Sequence, residues 1–284
     1  MKDRKRLHTS VEIFVDWVAN KSPYWAAYCA FMSGCLIALE KHPGVCPVGV
    51  GETLRQFFDN IVIKVTVPEA TSVCQDDQLC AKLKAIIDGA GYGAQDIWYT
   101  NLTTKYWGFI LVDAINTFNE INQIIMLCTV QHVCQSRASF VFNFYYHCSS
   151  LILRNMNGTS IFMHSREVVI QGNPLAVIVY TIGILSLIKK LKMEFPGVTH
   201  PWYAEDSIVL GIFARFEAYF HWLKVHGPGQ GHYPEPSKSV MIVHPNNPES
   251  RNLFGLCCGF KVCMGTPYLG GYIGDNDSKC KWMK

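Results

Sequence analysis

Apolar residues recur at helical spacing along the first third of the chain. A helix is expected around Trp25 to Leu39, and Leu54, Phe57, Phe58, Ile61, Val62 and Val65 trace the stripe of a second, amphipathic helix that runs until Pro68. Pro43 and Gly44 break the chain between them. Cys74 to Ile87 repeat the pattern more weakly, and Gly89, Gly91 and Gly93 read as a loop, which sets a boundary near 90–105. Trp107 to Asp113 (WGFILVD) is different: a short, nearly continuous apolar run, it suits a central strand covered on both faces, with Asp113 at its tip.

Helical spacing returns at Ile121, Ile125, Cys128 and His132, followed by two β-rich runs at Phe140 to His147 and Leu151 to Arg154. LILR-NMNGTS-IFMH reads as a hairpin turning at Asn157-Gly158. Asn173 fits a helix N-cap and Pro174 the first helical position, so one helix is predicted from there to about Glu194. THPWYA and SIVLGI flank Glu205-Asp206 as a hairpin with both acids at or near its turn. Phe213, Phe216, Phe220 and Leu223 make a helix stopped by Gly227, Pro228 and Gly229, and SVMIVH gives a further strand before the last apolar stretch, TPYLGGYIG.

Composition narrows the class. With 49% hydrophobic and 17% charged residues over 284 positions, the chain is globular rather than disordered. The longest apolar run, Leu175 to Ile188, falls short of the roughly 20 residues a membrane-spanning helix needs and reads as a core helix. The basic N-terminus MKDRKRLHTSVEIF lacks the apolar core of a secretory signal, so an intracellular location, in cytoplasm or nucleus, is expected, with no membrane association. The 12 cysteines then read as reduced, mostly buried thiols, because pairs such as Cys29 and Cys35 lack zinc-site spacing. A net charge of +3 decides nothing about partners.

Three carboxylates carry the candidate chemistry. Asp113 at a strand end and Glu205-Asp206 on a hairpin converge in an α+β layer if the two strands are neighbours. Clustered carboxylates repel, and hard divalent cations with oxygen ligands are the usual way to neutralise them.

Those same stretches, in the same order, resemble the motifs of a reverse transcriptase from a non-LTR-type retroelement over roughly residues 36–274. PGVCPVGVGETLRQ is similar to the fingers motif, WGFILVDAINTFNE to the first palm motif and SREVVIQGNPLA to the Gln-Gly motif beside template and nucleotide. WYAEDS stands where that family has its Tyr-x-Asp-Asp hairpin, PEPSKS where it has a lysine near the leaving pyrophosphate, and YLGG where it has the primer grip. The resemblance implies an α+β polymerase palm, an antiparallel sheet backed by helices, with partial helical and β fingers and no thumb, since only DNDSKCKWMK follows residue 274. It divides the chain into partial fingers and N-terminal helices at 1–105, a palm at 106–274 interrupted by a fingers segment at about 120–165, and a tail at 275–284. The implied activity is RNA-templated DNA synthesis on a DNA primer from deoxynucleoside triphosphates, with two Mg²⁺ ions, or Mn²⁺, and no protein partner. Asp113, Glu205 and Asp206 would be metal ligands, and Lys238 a general acid toward pyrophosphate. Phe118 would lie under the sugar and exclude a ribose 2′-OH, while Gln171, Gly172, Arg55 and Tyr203 would contact nucleotide or template.

Several positions depart from that pattern. Cys46 stands where the family has an arginine that clamps the triphosphate, leaving Arg55 or Lys41 as substitutes, since a thiol cannot replace a guanidinium fork. Glu205 replaces the first Asp of the pair, with an arm one methylene longer, although Mg²⁺ demands near-octahedral geometry. Asn173 replaces a frequent Asp, Val168 a frequent Gly and Ile115 a frequent Arg. Synthesis that is weak or lost in a decaying element copy is the expectation these changes set, with a catalytically dead remnant that at most binds nucleic acid as the alternative.

Overall fold

The computed structural model describes residues 2–21, 24–40, 45–81, 86–115, 117–146, 149–155, 157–165, 173–244 and 259–283. The chain forms two compact units, the first from Met1–Val73 and Phe118–Gly183, the second from Cys74–Thr117 and Ile184–Lys284. Among the described residues no helix is long and apolar enough to cross a membrane.

The first unit opens with helices α1 (Lys2–Asn20) and α2 (Trp25–Met32), strands β1 (Gly34–Glu40) and β2 (Val45–Gly51), and helix α3 (Thr53–Cys74). No element is legible in the sequence before Trp25, yet α1 forms, packing Phe14 against Phe31 and Phe58. The expected helix from Trp25 to Leu39 is half right. Its second half is strand β1, which pairs antiparallel with β2 along its whole length, because a short apolar run such as CLIAL satisfies either period and the partner strand decides. Helix α3 continues through Pro68. Its buried face is formed by Arg55, Phe58, Asp59, Val62, Thr66 and Ala70, leaving Leu54, Phe57 and Val65 of the expected stripe exposed.

The chain re-enters this unit with α5 (Thr117–Glu120), α6 (Gln123–Val133), α7 (Gln135–Tyr145), β4 (Ser149–Arg154), β5 (Ser160–Ser165) and α8 (Ala176–Gly183). Phe140 to Tyr145, read as strand, is helical in α7: Phe140, Val141, Phe144 and Tyr145 are buried on one helical face, and that packing overrides aromatic β-propensity. The β4–β5 hairpin forms where expected and turns through Gly158 at φ 82°, completing a four-stranded sheet in the order β2-β1-β4-β5. Helix α8 begins at Ala176 rather than at Pro174, so Asn173 is not its N-cap; the Asn173 side chain accepts from the Leu175 N–H at 2.8 Å in the turn that leads into the helix. The single helix expected to Glu194 is instead two, because α8 ends at Gly183 and α9 (Leu185–Glu194) belongs to the second unit.

The second unit holds α4 (Ile86–Thr100), β3 (Trp107–Val112), α9, β6 (Trp202–Tyr203), β7 (Asp206–Ile212), α10 (Phe216–His226), β8 (Val240–Val243), β9 (Lys261–Cys263), the hairpin β10 (Gly265–Tyr268) with β11 (Gly271–Gly274), and α11 (Asn276–Trp282). Gly89, Gly91 and Gly93 lie inside α4 rather than in a loop. The helix survives them, at about 1 kcal/mol each, because Ala94 and Trp98 one turn apart bury against Phe109, Ile208, Leu210 and Ile242 of the sheet.

That sheet, β6-β7-β3-β8-β9, has β3 at its centre, as the apolar run implies. Gly108 and Gly211 pair across β3 and β7 on the opposite face, and a Cβ on Gly108 would lie 2.5 Å from both the Ile242 carbonyl oxygen and the Phe213 ring. Phe213, Phe216, Phe220 and Leu223 are all buried, as their spacing predicts. The eight cysteines whose side chains the structure describes are free, and of these only Cys74 and Cys134 are buried; Cys35, Cys128 and Cys280 are exposed, which corrects the expectation of mostly buried thiols.

Candidate active site

The backbone segments that bear the three carboxylates come together at one end of the second unit's sheet, and strand register is what brings them there. Strands β3 and β7 run antiparallel with Leu111 opposite Ile208 and Val112 opposite Ser207. One step further in that register, Asp113 stands opposite Asp206, the first residue of β7. Glu205 precedes it in a two-residue turn between Tyr203 and Asp206, which are themselves paired.

The turn is strained and held. Ala204 has φ 51°, a left-handed conformation that disfavours a residue with a Cβ. The buried Gln78 amide clamps its backbone, donating to the Ala204 carbonyl at 2.7 Å and accepting from the Ala204 N–H at 3.0 Å. Sequence reasoning missed Gln78, which stands in a weakly patterned stretch and carries no motif. It also missed Ser239, whose hydroxyl accepts from the Asp113 N–H at 3.2 Å and donates to the Glu235 carbonyl at 2.8 Å. The Asp113 carbonyl in turn accepts from the Glu235 N–H at 2.9 Å, so the strand end is pinned to the turn that carries Lys238. Lys238 is exposed there.

Burial and mutual repulsion perturb the acids. Burial, opposed by a hydrogen bond from its own backbone and reinforced by Asp206 and Asp113, pushes the Glu205 carboxyl up to about 7. Asp206 is pushed up to about 6, again by burial first and the Asp113 charge second. The Tyr203 phenol is raised by burial and by Cys80, Glu205 and Asp206, and Tyr268 on β10 is raised by burial and by Asp206, so the last hairpin borders the same electrostatic environment. The donor chemistry suits a hard divalent cation: oxygen ligands only, with their charge partly suppressed for want of a counter-charge. Their spacing is another matter. Among the described residues no group of three or more His, Cys, Asp or Glu side chains is gathered closely enough to hold a metal ion.

Of the remaining expected site residues, Phe118 and Arg55 belong to the first unit. Phe118 is in α5 of the first unit, its ring 4.8 Å from the ring of Tyr180 on α8. Arg55 does not face solvent. Its side chain is 1% exposed, 3.9 Å from the equally buried Asp59, and donates to the Met32 carbonyl at 3.3 Å over the Phe144 ring. A guanidinium committed to the interior cannot serve from there as a substitute clamp, and this corrects its expected role. Ile115 is exposed at the surface of the second unit. Cys46 and its neighbour Pro47 belong to the backbone of β2 opposite Leu39 and Ala38. Gln171, Gly172, Val168 and Lys41 fall outside the described residues.

No protein-family profile matches this sequence, and no curated protein matches it either. Solved structures do. Telomerase from Candida albicans in complex with a TWJ fragment of telomeric RNA superimposes with a TM-score of 0.63 over 95% of this chain at 9% identity. Apo telomerase from Candida tropicalis gives 0.58 over 87% at 11% identity, and its form truncated from the C-terminal domain gives 0.56 over 75% at 12%. In each of these three the chain spans about half of the matched structure, 50% of its length. At such low identity the likeness concerns the fold, and the fold it shows is a reverse-transcriptase-like one, with palm-like sheets backed by helices.

Proposed function

We propose that this chain is the fingers and palm portion of a reverse transcriptase, from a non-LTR-type retroelement, in which RNA-templated DNA synthesis is weak or lost. The second unit is read as the palm and the first as carrying the fingers, including the interleaved segment at about 120–165. The observation that carries the reading is the β3–β7 register, which sets Asp113 opposite Asp206 with Glu205 in the adjoining turn.

In this reading Asp113, Glu205 and Asp206 are the oxygen donors for divalent cations, Mg²⁺ or the more tolerant Mn²⁺. Such ions, if held there, would supply charge stabilisation to nucleotidyl transfer. Among the described residues these donors are not closed into a ligand cluster. What the chain itself contributes is positioning. Gln78 and Ser239 fix the two backbone segments that bear the acids, Lys238 offers a proton to departing pyrophosphate, and Phe118 excludes the ribose 2′-OH. The longer arm of Glu205 displaces its carboxylate, and a misplacement of about 1 Å costs roughly a hundredfold in rate. RNA template, DNA primer and deoxynucleoside triphosphate are the partners this implies.

Binding of a fluorescent RNA template–DNA primer duplex, titrated over salt concentration, tests the reading. Affinity should fall linearly with salt on logarithmic axes, as phosphate contacts require. Absence of binding at low salt would remove the nucleic-acid reading altogether. Single C-to-T and G-to-A transitions in the codons of Cys46 and Asn173, in excess over intact relatives, are expected of a decaying copy.

A further inference from the structure

The first unit contains a cavity of about 470 Å³ that the carboxylate site does not use, between helices α6 and α7 and the end of α1. Its volume lies within the roughly 300–1,000 Å³ of small-molecule sites. Its walls are apolar: Ile124 and Leu127 from α6, Phe142 from α7 and Tyr146 just beyond it. Phe142 and Tyr146 stack on each other, centroids 4.3 Å apart and planes 25° off parallel, and both rings are about half exposed, at 44% and 54%. An aromatic pair on an open cavity wall offers a flat platform for another ring.

The polar groups of the lining are mostly uncharged. Asn20, Gln131 and Asn143 bring amides and Ser139 a hydroxyl, while among the described lining residues Lys21 is the one charged side chain and none is a carboxylate. Two of the amides are already oriented: Asn143 donates to the Lys21 carbonyl at 2.9 Å, and Asn20 donates to the Asp16 carboxylate at 2.9 Å. Amides match the donor and acceptor edge of a heterocycle, and an ammonium matches an anion. We infer that this cavity binds a flat heteroaromatic base carrying a phosphate, with the base against Phe142 and Tyr146 and the phosphate toward Lys21. A free mononucleotide and a nucleotide within a single strand share that chemistry.

Cys128 supplies the readout, because it lines the cavity and is exposed, whereas Cys35 and Cys280 are exposed outside it. Alkylation of the full chain would be followed cysteine by cysteine by mass spectrometry with adenosine monophosphate, adenosine, ribose 5-phosphate or a single-stranded oligodeoxyadenylate added. Adenosine monophosphate should slow alkylation of Cys128 at least fivefold at millimolar concentration and leave Cys35 and Cys280 unchanged. Adenosine should protect less and ribose 5-phosphate not at all. Protection by the oligonucleotide at much lower concentration would assign the site to a strand, and protection by the mononucleotide alone would assign it to free nucleotide. Tyr146→Ala, at a half-exposed position, should weaken protection by about 5- to 150-fold, the range of losing one base–aromatic stack. Equal protection of all three cysteines, no protection by either nucleotide, or undiminished protection in Tyr146→Ala with its helix content intact would overturn the inference. None of these readouts depends on polymerase activity, so failure of the polymerase reading leaves the result interpretable.

Discussion

Replacing Glu205 with Gln should stabilise the protein, and by an amount that depends on pH. Folding raises this carboxyl from the ordinary 4.5 to about 7, chiefly through burial, with Asp206 and Asp113 adding repulsion. A carboxyl whose folded pKa lies above its unfolded one costs stability as pH climbs from the unfolded value to the folded one, and the cost is complete above the latter. At about 1.36 kcal/mol per pH unit this amounts to about 3 kcal/mol at pH 8 and under about 0.5 kcal/mol at pH 4.5. Glutamine keeps the shape and removes the titrating charge. Thermal unfolding of both proteins at the two pH values is the assay. With about 2–4 °C per kcal/mol for a domain of this size, the substitution should raise Tm by about 6–12 °C at pH 8 and by no more than about 2 °C at pH 4.5. A gain of equal size at both pH values, or a loss at pH 8, would refute the view that the fold buries the Glu205 carboxylate at a cost.

Other consequences concern the scaffold. Gln78→Ala would strip both hydrogen bonds from the buried Ala204 backbone and should cost about 2–4 kcal/mol in chemical denaturation, a loss that Gln78→Glu would not restore because it removes the donor. Gly108→Ala would push a methyl into the Phe213 ring and the Ile242 carbonyl, and a cost of about 1–3 kcal/mol or more should appear as a lower denaturation midpoint. Arg55→Ala would leave Asp59, already pushed up to about 6 by burial, without its counter-charge, costing about 3–5 kcal/mol, whereas Arg55→Met with Asp59→Leu should come within about 1 kcal/mol of the parent.

Much of the palm-like sheet was legible because its signals are local. WGFILVD is buried on both faces and has no helical alternative of adequate length, the Glu205-Asp206 turn lies between two short β-rich runs, and Phe213, Phe216, Phe220 and Leu223 keep helical spacing. What sequence alone could not settle was decided by distant partners. CLIAL becomes strand β1 because β2 pairs with it, and the glycine-rich start of α4 stays helical because Trp98 is anchored in the sheet below. The aromatic run at Phe140 to Tyr145 coils because four of its side chains bury on one face. In the candidate site the motif residues Asp113, Glu205 and Asp206 were visible as a pattern, while Gln78 and Ser239, which fix their backbones, are ordinary polar residues whose roles exist only once the chain is folded. Arg55 was misread for the converse reason: a charge in a motif suggests a surface task, and here it is neutralised in the interior by a residue one helical turn away.

The most direct test of the account is primer extension on an RNA template with Mg²⁺ or Mn²⁺, comparing the unaltered chain with Glu205→Asp and Asp113→Ala. The account predicts that Glu205→Asp extends about a hundredfold faster than the unaltered chain in Mn²⁺, and that Asp113→Ala does not extend at all. Extension by the unaltered chain as fast as by Glu205→Asp, or extension that survives Asp113→Ala, would contradict it.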